Sequence, residues 1–126
     1  MLIPQSVPAF AVSNAVATSP ANRVLAASTT VNRYIKGIFA TNTTSSAITL
    51  NIGIGVAATL TAANADVCFG LSIPANAGSY PVVQYPSTAQ GPGRKALGVG
   101  SLNEIMAFAS NTGILLNVIY ADDSLQ

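Results

Sequence analysis

Apolar and polar side chains alternate with a period of two through much of the chain. In residues 47–56, Ile48, Leu50, Ile52, Ile54 and Val56 take alternate positions, with Ala47, Thr49, Asn51, Gly53 and Gly55 between them. Successive side chains of a strand point to opposite faces, so this order predicts a strand with one buried face and one small or polar face. The segment sits within residues 42–64, which carry no charged side chain, and residues 46–63 are long enough to be weighed as a membrane-spanning helix. Such a helix would turn Asn51 and two glycines toward lipid and would have no use for the alternation. The strand is the better reading, entered from a Ser/Thr/Asn turn at Asn42 to Ser46.

The same criterion predicts further strands at Arg23 to Ala27, Tyr34 to Thr41, Val67 to Ile73, Ser79 to Tyr85, Leu97 to Val99, Glu104 to Ala109 and Ile114 to Ala121. Pro81 cannot donate a ladder hydrogen bond, which marks its strand as an edge. The last two strands read as a pair joined by the turn "SNTG", and "TLTAANAD" has room for one helical turn. Val67, Phe69, Leu71 and Ile73 are expected on one face, as are Ile114, Leu116, Val118 and Tyr120. Ile52, Phe69, Leu71, Leu116 and Val118 are the expected core centre. Short strands without a sustained 3.6 period indicate an all-β sandwich or jelly roll.

Residues 1–22, "MLIPQSVPAFAVSNAVATSPAN", carry three prolines, no charge and no sustained period. They read as an extended N-terminal arm lying on a neighbouring surface or on the chain's own sheet, with the sandwich domain spanning 23–126. The arm's apolar residues Leu2, Ile3, Val7, Phe10 and Val12 are candidate partner-binding groups. So are Arg94 and Lys95, in the irregular stretch "PSTAQGPGRK", where two cations could meet an acidic patch.

Composition then narrows the function. The 126 residues suit one domain with a real core. Only 7% are charged and the net charge is +1, against roughly 25% charged in an average domain. Binding nucleic acid through phosphates needs a basic stripe that this chain lacks. Its polar surface comes from twelve serines, eleven threonines and ten asparagines. Such neutral groups desolvate cheaply, and weak charge leaves little repulsion between copies. Protein assembly is therefore expected, with no membrane partner.

Chemistry is sparse. With no histidine and a single cysteine, Cys68, neither a zinc site nor an internal disulfide is expected. No base is placed beside a nucleophile, and the four carboxylates Asp66, Glu104, Asp122 and Asp123 read as solubilising charges. "GPGRK" misses phosphate-loop spacing. Asn42-Thr43-Thr44 matches a glycosylation sequon but is better read as turn chemistry, because the opening residues lack a secretory leader. No catalytic residue, cofactor or metal is expected.

Two stretches, "RYIKGIFATNTTSSAITLNIGIG" and "GSLNEIMAFASNTGILLNVIYAD", carry a resemblance and make up somewhat over a third of the chain. The first places Ile35, Ile38, Asn42 and Thr43 in a strand-turn-strand pattern. The second places Ile105, Ala107, Ala109, Ser110 and Val118 in a late strand pair. Both resemble small β-sandwich virion proteins of tailed phages. The resemblance implies a non-enzymatic head decoration (cement) protein on the virion surface, made in the host cytoplasm. It would be trimeric, binding the lattice of major capsid proteins. A tail, neck or fibre adaptor of the same fold is the first alternative. A carbohydrate-binding jelly-roll module is the second, disfavoured by the absence of Trp.

Overall fold

The computed structural model describes residues 9–26, 32–55, 60–63, 65–84, 95–96 and 104–123. Among them are nine strands and no helix. The strands are β1 (Ala9–Ala15), β2 (Asn22–Ala26), β3 (Asn32–Asn42), β4 (Ile48–Gly55), β5 (Cys68–Ile73), β6 (Tyr80–Gln84), β7 (Lys95–Ala96), β8 (Glu104–Ala109) and β9 (Ile114–Asp123). The expected piece at 97–99 lies outside the described residues. Between β4 and β5, where one helical turn is expected, Ala65 N donates to Thr61 O at 2.9 Å.

All named pairings are antiparallel. One sheet runs β1-β9-β3-β6, with short β7 also against β3; the other runs β2-β8-β4-β5. Their inner faces enclose one core, as in a β-sandwich. The first sheet contributes Ile35, Ile38, Ala40, Ile114, Leu116 and Val118, and the second Leu50, Ile52, Ile73, Ile105, Ala107 and Ala109. Large and small side chains face each other across the ladders: Ile52 opposite Ala107, Leu50 opposite Ala109, Leu116 opposite Ala40. Such pairing fills the space between sheets without forcing rotamers.

The structure narrows one expectation and changes two. Of the two places expected for the arm, residues 9–15 take the chain's own sheet as strand β1, in unbroken register with β9 from Ala9 opposite Ala121 to Ala15 opposite Leu115. Its prolines flank this stretch, so nothing inside it interrupts a ladder. Second, β8 and β9 do not form a hairpin. The turn between them crosses from one sheet to the other, β8 pairing with β2 and β4 while β9 pairs with β1 and β3. The apolar face of each strand can then meet the other across the core.

Third, Phe69 is not in the core. The β4–β5 register slips between Leu50 opposite Leu71 and Ile52 opposite Cys68, which inserts one residue. Gly70 takes φ 77° there, a conformation that favours glycine and builds a bulge. The extra residue flips the alternation, so Cys68 shares the inner face with Leu71 and Ile73. Phe69 points outward, 46% exposed. Ile52, Leu116 and Val118 are fully buried as expected, and Leu71 is partly buried against the core.

Candidate interaction surface

The outer face of the β1-β9-β3-β6 sheet is where the chain departs from an ordinary solvated surface. Leu116 and Val118 point into the core, so Leu115, Asn117 and Ile119 on β9 point out. Register places Thr41, Phe39 and Gly37 of β3 beside them on one side and Ala15, Ser13 and Ala11 of β1 on the other. None of these nine residues is charged. Leu115 is 39% exposed, and Ile119 and Phe39 are half-buried. Gly37 lets the Phe39 ring lie flat, since a Cβ there would come within 3.0 Å of Phe39 Cε1.

A second, smaller patch lies outside the other sheet. Phe69 meets Phe108 edge-on, ring centroids 6.4 Å apart, a favourable aromatic geometry. Asn51, buried between them, donates from Nδ2 to Phe108 O at 3.3 Å and accepts from Gly70 N at 2.8 Å. It thereby holds the bulge that presents Phe69.

One end of the sandwich is a hydrogen-bonded corner centred on Asn42, 1% exposed. Its Nδ2 reaches Ser46 O (2.8 Å), Ile73 O (3.2 Å) and Pro74 O (3.1 Å). Its Oδ1 accepts from Thr44 N (2.9 Å) and Thr44 Oγ1 (2.8 Å). Thr43 N donates to Gly113 O at 3.0 Å, and Ser110 N to Thr49 O at 2.9 Å. The sequon asparagine is therefore structural: its amide nitrogen is taken up by three carbonyls. Gly113 adopts φ 120°, and a Cβ there would collide with Thr44 Cγ2.

Among the described residues Arg23, Arg33, Asp66, Glu104 and Asp122 find partners within the fold. Arg33 Nε donates to Asp122 Oδ1 at 3.1 Å and its NH1 to Ala26 O at 2.9 Å, with its guanidinium carbon 5.0 Å from the Tyr120 ring centroid. Arg23 meets Glu104 at 3.5 Å on the surface, a contact of small worth. Among the described residues no group of His, Cys, Asp or Glu could hold a metal ion. Burial pushes the Cys68 thiol up to about 11, so it is a poor nucleophile near neutral pH.

Of the partner-binding residues expected from sequence, Leu2, Ile3, Val7 and Arg94 lie outside the described residues. Phe10 and Val12 are on β1 opposite Tyr120 and Val118, on the inner side of the sheet. Val12 packs against the core, and Phe10 lies against Tyr120 with ring centroids 5.7 Å apart while remaining 46% exposed. Lys95 is in β7 opposite Ile35. The sequence pattern gives Phe39, Leu115, Ile119 and Phe108 no surface role, and it places Phe69 in the core instead. The available signal was that "YIKGIFAT" and "ILLNVIYA" are apolar at both parities, leaving large side chains for the outer face as well as the inner one. No protein-family model, curated protein or solved structure matches this chain.

Proposed function

We propose that the chain is a non-enzymatic structural protein of a tailed-phage particle, a head decoration protein that docks on the major capsid lattice and stiffens the shell. The observation that carries this is the uncharged outer face built from β1, β9 and β3, with Leu115, Ile119 and Phe39 at its centre. None of the residues named on it is charged, the nearest cation along β3 being Lys36 in the bulge next to Gly37, and apolar area removed from water contributes about 25 cal/mol per Å². The virion-protein resemblance supplies the setting.

Size decides how such docking works. Three strands about 4.8 Å apart, with seven residues rising about 3.4 Å each, give a footprint of about 340 Å². A standard interface buries roughly 800 Å² per partner, so one copy binds modestly through this face. Linked copies would raise residence on the lattice through effective concentration.

Electron cryomicroscopy of the phage particle that carries this protein is the test. Hundreds of copies at capsomer junctions, with the β1-β9-β3 face toward the shell, are expected. Leu115→Glu and Ile119→Glu should fold yet fail to decorate heads stripped of the native protein. A handful of copies at the neck or tail would replace this function with the adaptor role. Absence from the particle would end the virion assignment.

A further inference from the structure

Among the described residues four strands form the long edges of the two sheets, and three carry a device that discourages further pairing. β2 has a register shift between Arg23 and Leu25 and a charged side chain. β5 has the Gly70 bulge. β6 has Pro81 and a register shift against Ile38 and Phe39. These are the usual protections of a sheet edge. β1, "AFAVSNA", has none: it is seven residues long, without charge, proline or bulge, and no described strand pairs with its other side.

The hydrogen-bond parity of that edge follows from one distance. Val16 N donates to Ile114 O at 2.9 Å, continuing the β1–β9 register. In an antiparallel ladder hydrogen-bonded pairs alternate with non-bonded ones. Phe10, Val12 and Asn14 therefore spend their backbone groups on β9. Ala9, Ala11, Ser13 and Ala15 aim their N–H and C=O groups at the free edge.

We infer that β1 pairs with β1 of a second copy, antiparallel about a twofold axis at Val12. This register opposes Ala9 to Ala15, Phe10 to Asn14, Ala11 to Ser13 and Val12 to itself. It uses all the outward backbone groups, about eight hydrogen bonds in two continuous sheets joined as one. The occupant is a second copy because the strand is self-complementary in this register. Small residues oppose small ones on the outer face, no charges oppose each other, and a net charge of +1 leaves the copies little mutual repulsion. The pairing also brings a neighbouring strand beside Phe10, the large inner-side residue left 46% exposed at this edge. It creates an isologous dimer rather than the threefold assembly that the virion resemblance implies.

Sedimentation of the full chain should show a species of twice 12.7 kDa, in equilibrium with monomer. Ala11→Pro deletes an outward N–H in each copy but no β1–β9 bond, since proline is tolerated on an edge. It should weaken self-association about tenfold or more while leaving the monomer's unfolding midpoint nearly unchanged. In a Cys68→Ser background, Val12→Cys should form an intermolecular disulfide on oxidation. Facing non-bonded residues lie close enough for this, about 4.5 Å between Cα atoms. Ala11→Cys, which faces Ser13 of the other copy, should cross-link poorly. A chain that stays at 12.7 kDa, an oligomer indifferent to Ala11→Pro, or equal cross-linking at both positions would overturn the pairing. Should Ala11→Pro not fold, the cross-linking pattern decides alone. None of these measurements involves a phage particle, so they separate this pairing from the virion role.

Discussion

Leu115 and Leu116 are neighbours on β9 with the same side chain and opposite fates: 39% exposed on the outer face and 0% exposed in the core. Truncating each to alanine removes the same atoms, so the difference isolates burial. Leu116 sits opposite Ala40 on β3 and Asn14 on β1, both firmly placed, so the space it vacates cannot collapse fully. Transfer loss plus a residual cavity puts Leu116→Ala at about 3–4 kcal/mol. Leu115 keeps much of its surface in water already, and its loss should cost about 1 kcal/mol or less. For a chain of this size 1 kcal/mol moves the thermal midpoint by about 4 °C, so the two variants should fall about 12–16 °C and at most about 4 °C. Calorimetry or urea titration at low protein concentration reads both. Equal shifts would refute the face assignment of β9, and with it the outer patch. Leu115→Ala should, in addition, weaken binding to stripped heads while Leu116→Ala, if folded, leaves it intact.

Phe69→Ala should cost about 1 kcal/mol, since the ring is 46% exposed and loses its edge contact with Phe108 but no core position; a core-sized drop in the urea midpoint would contradict the β5 bulge. Asn42→Ala should cost about 3 kcal/mol by stranding the carbonyls of Ile73 and Ser46, and Asn42→Asp more at neutral pH, part of which returns as acid protonates the new carboxyl; an unmoved midpoint would count against the corner. Gly113→Ala should destabilise by about 3 kcal/mol through the left-handed backbone and the collision with Thr44, checked by thermal melting. The Cys68 thiol is held up to about 11 from 9.0 by burial. The unfolded chain therefore releases that proton first, and stability should fall as pH rises through 9 to 11, more steeply than in Cys68→Ser; parallel profiles would remove Cys68 as the cause.

The residues behind the virion resemblance turn out to be fold determinants. Ile35, Ile38, Ile105, Ala107, Ala109 and Val118 are core, and Asn42 is the corner. Thr43 and Ser110 bond backbone at the same end. A pattern of this kind is legible because burial and turn chemistry leave a residue-type signature. The outer patch is harder to read, because Leu115 and Leu116 are the same letter and only pairing tells which one is covered. The bulge at Gly70 was equally hidden, since "CFGLSI" fits uninterrupted alternation as well as interrupted alternation.

By itself the sequence determined the all-β class, seven of the nine described strands to within a few residues, and the inner faces of β4 and β9. Period-two hydrophobicity is a local property, written in side chains that sit near each other in the chain. Only the tertiary structure decided that β8 and β9 lie in different sheets, that residues 9–15 complete one of them, and which backbone groups of β1 face away from β9. Strand partnership is made by backbone N–H and C=O groups that every residue except proline carries alike. The choice among partners is therefore fixed by how two faces close over a common core, and no single stretch of sequence records it.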